Sequence, residues 1–355
     1  MSKTLERGSV FGITRNLRVK MTDSYIKNQD LIIGVGDSLD FLKTIPSDSV
    51  RLAVSSPPYN IGKEYERRIN LKDYLEYQKE VALQIRRILK HDGSVAWEVG
   101  NYVSDGETFP LDIPFYKIFK EDAGLKLRNR IIWRFEHGLH ASRRLSGRYE
   151  SILWFTKSDD YIFNLDPIRV PQKYPGKAYY KGVKKGLPSG NPLGKNPGDV
   201  WEMLTKEWHD QVWNIPNVKS HHPEKTSHPA QFPVELVQRL ILALTVEEDI
   251  VVDPFGGVGS SAIAALSLNR RAISIDRDKN YSNIAMSRVQ FLMKGTLKIR
   301  NIGTTIYQPD PSSKLLHVPE SWETLKARSN NHLMNSLSTS KNFSSFSRPN
   351  SRLGM

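Results

Sequence analysis

Apolar positions recur along this chain in two periods, and the way the periods alternate predicts most of its architecture. Leu31-Ile32-Ile33-Gly34-Val35 reads as a short buried strand ending at the Gly36-Asp37 turn, and Val50-Arg51-Leu52-Ala53-Val54 as a second one. The second runs straight into Ser55-Ser56-Pro57-Pro58-Tyr59-Asn60. From Leu75 through Gln78, Val81, Ala82, Ile85, Ile88 and Leu89 the spacing is helical, with Gly93 as the stop. Residues 94–99 predict a third strand. Apolar runs at 130–135, 151–155 and 161–163 follow without helical spacers, as in an antiparallel edge. Past Pro233, Leu236, Val237, Leu240, Ile241 and Leu244 share one helical face. Two strand-helix units come next: 250–252 with a helix from about Val258, then 272–275 with a helix through Tyr281, Ile284, Ala285 and Val289. This alternation predicts an α/β fold, a doubly wound and mostly parallel sheet with an antiparallel edge.

Composition sharpens the picture in three places. The chain has 355 residues, enough for one large core or two ordinary ones, and no run approaches the ~18 apolar residues of a membrane span. Its first 23 residues are polar without a signal-peptide core, so a soluble, non-secreted, cytoplasmic protein is expected. Fifty-one Lys and Arg against 38 Asp and Glu give a net charge of +13, which favours a polyanionic partner. The chain has no cysteine, which removes disulfides, thiolate nucleophiles and Cys-based zinc sites. His209, His221, His222 and His228 lack a companion ligand pattern, so no metal is expected. Between Asp166 and Asp199 the residues Arg169, Lys173, Lys177, Lys181, Lys184, Lys185 and Lys195 occur without a single acid, which marks a basic insertion. Beyond Asp310 the Ser- and Asn-rich composition predicts a largely disordered tail with one short helix near 322–333.

Strand 250–252 leads into Asp253-Pro254-Phe255-Gly256-Gly257-Val258-Gly259-Ser260-Ser261, where glycines let the backbone approach a ligand at the carboxyl edge of the sheet. A phosphate-binding P-loop needs Lys after its last glycine, and Gly259 is followed by Ser260. The dinucleotide pattern G-x-G-x-x-G is absent as well. One strand later Asp276 occupies the position from which a carboxylate accepts from ribose hydroxyls, while Asp253 suits a cationic group and repels phosphates. Ribose with a cationic centre and no pyrophosphate points to S-adenosyl-L-methionine. In Ser56-Pro57-Pro58-Tyr59 the prolines stiffen the backbone. The Ser56 hydroxyl and the Pro57 carbonyl can then aim at one exocyclic amine, with Tyr59 as a stacking face for a base. Methylation at cytosine C5 needs a thiolate that this chain lacks.

These two motifs together resemble the amino-DNA methyltransferases of bacterial restriction-modification systems. The catalytic motif precedes the cofactor motif with the basic insertion between them, which is the beta-class order. His228-Pro229-Ala230-Gln231-Phe232-Pro233 fits that family's additional cofactor-contacting segment, and the resemblance covers about residues 30 to 295. It implies an S-adenosylmethionine-dependent, Rossmann-like domain in two halves, catalytic (30–165) and cofactor-binding (226–300). A target-recognition region (166–225) lies between them, a lead (1–29) precedes them and a tail (301–355) follows. It further implies Ser56, Pro57, Pro58 and Tyr59 at the target amine and Asp37 near the cofactor adenine. Asp276 would sit at the ribose; Asp253, Phe255, Gly256, Gly257 and Gly259 around the methionine portion; Thr226 and His228 near its carboxylate; and Phe232 and Ser260 among the further cofactor contacts. Two serines, Ser260-Ser261, stand where two threonines are common, and Asp276 where glutamate is frequent. Arg143, Arg144, Lys173, Lys177, Lys181, Lys184 and Lys185 are the expected phosphate-contacting residues on duplex DNA. Serine at the head of the tetrapeptide favours cytosine N4 over adenine N6 within the family. The implied enzyme acts as monomer or homodimer beside a cognate restriction endonuclease. Structured RNA as substrate and a non-catalytic DNA-binding role are the competing readings.

Overall fold

Strands β1 (Ser9–Phe11), β2 (Val19–Thr22) and β3 (Leu31–Val35) open the chain, followed by helix α1 (Ser38–Thr44), β4 (Val50–Ser55), α2 (Leu71–Ile88) and β5 (Leu89–Val99). The middle contains the hairpin β6 (Asn101–Ser104) and β7 (Glu107–Pro110), α3 (Asp112–Lys117), β8 (Lys126–Arg134), β9 (Tyr149–Thr156) and β10 (Val200–Trp201). The last part is α4 (Val234–Leu244), β11 (Ile250–Asp253), α5 (Ser260–Ser267), β12 (Arg271–Asp276), α6 (Lys279–Met293) and β13 (Leu297–Ile299). This computed structural model describes residues 9–11, 13, 16–62, 68–104, 106–135, 141–172, 174, 176–201, 218 and 222–300. The expected tail and its short helix, and Lys173, His209 and His221, lie outside the described residues.

Nine strands form one sheet in the order β10-β8-β9-β5-β4-β11-β12-β3-β2. Six neighbouring strands from β2 to β5 are parallel, β9 is antiparallel to both β5 and β8, and β10 pairs parallel with β8. The doubly wound sheet with an antiparallel edge is therefore as the alternation predicts. Side chains of successive strand residues point to opposite faces, and the two faces carry separate cores. Leu31, Ile33, Leu52, Val54 and Val251 pack with α4, α5 and α6. Ile32, Ala53, Val95, Trp97 and Val252 pack with α1, α2 and α3. Burial on both faces explains why β3, β4, β11 and β12 read as near-continuous apolar runs.

Three local expectations need correction. Helix α2 starts earlier than Leu75, where the Asn70 side chain accepts from Lys72 N, and stops at Ile88 rather than Gly93. Gly93 instead lies inside β5, beside an irregularity in its pairing with β4. Residues 161–163 form no strand; Tyr161 and Phe163 pack their rings on Trp154, which accounts for their apolar character. The described part of the basic insertion is mostly irregular, closed by the isolated bridges Val170↔Lys195 and Ala178↔Pro188, with Lys177, Lys181, Lys184 and Lys185 exposed.

Candidate active site

Residues 56 and 253 are almost 200 positions apart, yet parallel pairing of β4 with β11, Leu52↔Val251 and Ala53↔Val252, brings both motifs to the same sheet edge. From β4 the chain winds outward through α2 to β5, and from β11 it winds the opposite way through α5 to β12. Between strands that diverge like this the connecting loops open a crevice at the carboxyl ends. That crevice holds a cavity of about 590 Å³, within the range of cofactor sites.

One wall is the Ser56-Pro57-Pro58-Tyr59 motif, joined by Glu98 and Glu150 from the adjoining strands. Ser56 Oγ lies 3.3 Å from Tyr59 Oη, and Tyr59 Oη donates to Glu98 Oε1 at 2.9 Å. Pairing of Ser55 with Trp97 places Ser56 beside Glu98, and pairing of Val99 with Ser151 carries Glu150 to the same point. Glu98 is buried, and burial first, then the Glu150 charge and hydrogen bond, raise its pKa well above the ordinary carboxyl value. Burial and the same two acids push the Tyr59 phenol up, so it remains a donor. A Cβ at Gly100 would come within 2.8 Å of the Tyr59 ring, so only glycine admits this packing. Tyr74 Oη donates to the Pro58 carbonyl at 2.8 Å and fixes the second proline from α2.

The opposite wall is backbone held by carboxylates. Asp276 Oδ2 accepts from Gly257 N at 3.0 Å and Oδ1 from Asp278 N at 2.7 Å, while burial raises its pKa. A Cβ on Gly256 would lie 1.9 Å from Ser274 Oγ, and Gly257 has φ 51°, so both glycines are required by geometry. His228 Nδ1 accepts from Ala230 N at 3.2 Å, which assigns the ring proton to Nε2. That nitrogen would lie 3.3 Å from a Cβ built on Gly257, and the ring packs edge-on against Tyr281 at 4.6 Å. Asp37 caps α1 through Leu39 N and Asp40 N and accepts from Tyr77 Oη at 2.9 Å.

Over residues 50–287 the sequence matches the family described as DNA methylase, N6_N4_Mtase. The chain belongs to this DNA methylase family. The Type II methyltransferase M.BglII of Bacillus subtilis is 49% identical over 251 residues, a match covering 70% of this methylase and 66% of that protein. The DNA adenine methyltransferase YhdJ of Escherichia coli is 31% identical over 72% of this methylase and 81% of its own length. The solved PvuII DNA methyltransferase, described as cytosine-N4-specific, shares the fold with a TM-score of 0.55 at 20% identity, covering 77% of this chain and 88% of that one.

Within the methylase, Ser56, Pro57, Pro58, Tyr59, Asp37, His228, Phe232, Phe255, Gly256, Gly257, Ser260 and Asp276 all line the cavity. Three other expected contacts stand behind the wall. Asp253 is 1% exposed; its Oδ1 accepts from Ser55 Oγ at 2.5 Å and Phe255 N at 3.1 Å, and Oδ2 accepts from Ser261 Oγ. It therefore braces the turn instead of facing a cationic ligand. Gly259 caps α5 with φ 78° and packs on Ala285, and Thr226 Oγ1 donates to Gln231 and accepts from His228 N. Arg144 reaches the cavity and Arg143 does not. Besides Glu98 and Glu150, the reading along the chain missed Tyr74 and Tyr77 and took Gln78 for part of an apolar face, although all three line the cavity. The polar Gln78 in an otherwise apolar stripe was the available signal. Among the described residues no group of three or more His, Cys, Asp or Glu could hold a metal, and no helix is long and apolar enough to cross a membrane.

Proposed function

We propose that this methylase moves the methyl group of S-adenosyl-L-methionine to the exocyclic N4 amine of a cytosine flipped out of duplex DNA, protecting a short sequence from a cognate restriction enzyme. The observation that carries the reading is one cavity with an amine-accepting wall, Ser56 with Tyr59 and Glu98, opposite a Gly256-Gly257 wall with Asp276. Asp276 keeps lone pairs for ribose hydroxyls, Phe255 and Phe232 supply apolar surface, and the His228 Nε2 proton can meet a carboxylate. The cofactor, when bound, supplies a sulfonium methyl group open to attack by nitrogen.

Ser56 Oγ accepts an N–H of the target amine and draws electron density toward its nitrogen. As the nitrogen-methyl bond forms and the sulfur-methyl bond breaks, the amine sheds one proton. Ser56 takes it while passing its own to Tyr59, and the Tyr59 proton moves to a carboxylate oxygen of the Glu98–Glu150 pair. Arg143 and Arg144, with Lys173, Lys177, Lys181, Lys184 and Lys185, neutralise phosphates, so binding weakens as salt rises. Serine rather than aspartate at position 56 supports cytosine; the adenine-specific relative keeps N6 as the second reading.

The test is modification-sensitive sequencing of DNA from a methylation-free host expressing the chain, beside the Ser56→Ala variant. N4 marks on cytosine at one motif, absent with the variant, are the expected result. N6 marks on adenine would replace the base and keep the mechanism. No marks, from protein that still binds DNA and cofactor, would transfer the reading to RNA or to a binding role.

A further inference from the structure

Strands β8 and β9 are joined by a loop whose described end forms part of the cavity rim: Arg144, Gly147, Tyr149 and Glu150 all line the cavity. The loop is tied at its base, where Phe135 N donates to the Arg148 carbonyl at 2.9 Å, and turned by Ser146 Oγ, which accepts from Ala141 N at 3.1 Å. At its outer point Leu145 is 93% exposed. Arg143 and Arg144 precede it, Arg148 follows, and residues 141–149 contain no acid. Single exposed leucines are ordinary on protein surfaces. An apolar side chain among three arginines at the lip of an amine-accepting cavity calls for a partner with anions outside and an apolar slot inside. Val183 is still more exposed, among Lys181, Lys184 and Lys185, but that hairpin does not line the cavity.

We infer that Leu145 is the wedge that enters the base stack and fills the gap left by the target base, while Arg143 and Arg144 hold the flanking phosphates. This inference rests on the duplex-DNA reading above. A duplex from which one base has been swung out fits the demand: phosphates on its outside, and two unstacked, apolar base faces around the gap. Leucine filling that gap stabilises the open duplex and leaves the base in front of Ser56. The side chain makes no contact with the reacting atoms, so Leu145 is a positioning residue.

The test uses the full chain, cofactor and two duplexes carrying the motif found by sequencing, one fully paired and one with an abasic site opposite the target base. On the paired duplex Leu145→Ala should lower kcat/KM about tenfold and weaken the fluorescence rise of 2-aminopurine placed at the target. On the duplex with the abasic site, where little opening work remains, variant and parent should agree within about twofold. Leu145→Met, which keeps the apolar reach, should behave as the parent on both. An equal loss on both duplexes, or no loss on either, overturns the wedge. If the unaltered chain methylates neither, the DNA reading itself falls.

Discussion

Asp253 and Glu98 are both buried acids at the ends of β11 and β5, the two strands that flank β4, and both have raised pKa values, yet their surroundings give them opposite uses. Asp253 is met by three donors, two hydroxyls and one amide, so its charge is spent on bracing the turn that follows β11. Glu98 is met by the Tyr59 phenol, the Ser56 hydroxyl and a second carboxyl whose charge opposes its own, so it retains a capacity for protons. Satisfied acids hold geometry, and under-satisfied acids do chemistry. The same division separates the two walls: the Gly256-Gly257 wall is backbone fixed by hydrogen bonds, and the Ser56–Glu98 wall is a chain of exchangeable protons.

Substitution can test the contrast. Burial first, and repulsion by Asp276 last, hold Asp253 at about 6 against its ordinary 3.8, in spite of its donors. The folded chain then binds this proton more tightly than the unfolded chain does. Its contribution to stability is full below pH 3.8 and is lost as the pH rises through about 6, a span worth roughly 3 kcal/mol. Asp253→Asn should flatten the pH dependence of thermal unfolding across that window, and a curve parallel to the parent's would remove Asp253 from the argument. Next in size, Glu98→Gln keeps a partner for Tyr59 but lowers the proton capacity of the pair. Single-turnover methylation should slow by roughly a hundredfold with cofactor affinity unchanged; equal weakening of cofactor binding would make Glu98 merely structural. Smallest is Asp276→Ala, expected to raise the cofactor Kd roughly tenfold by calorimetry and to leave DNA affinity in place. A normal titration would place the ribose elsewhere.

Legibility followed locality. The Gly-rich turn and Asp276 are consecutive in the chain or one strand-helix unit apart, and the turn's backbone demands are written as glycines, so that wall could be read from residue types alone. Helix α2 and the central strands were equally legible, because burial on one stripe or on both faces leaves a periodic trace. Glu98 and Glu150 left no such trace: an acid at the end of an apolar strand looks like a solvated terminus until its register is known. Nor could the pattern say whether Asp253 faces a ligand or the protein, since the same carboxylate serves both.

The amino-acid sequence by itself determined the alternation of the central strands with α2, α4, α5 and α6, the absence of thiol chemistry, the two motifs at their strand ends and the basic character of the intervening segment. Tertiary structure decided which strands lie side by side, and with that which acids meet. Side-chain pairing across a sheet, parallel at β4–β5 and antiparallel at β5–β9, depends on strand order and register, both set by contacts between residues far apart in the chain. That is why the Ser56–Tyr59–Glu98–Glu150 cluster exists only in the folded protein.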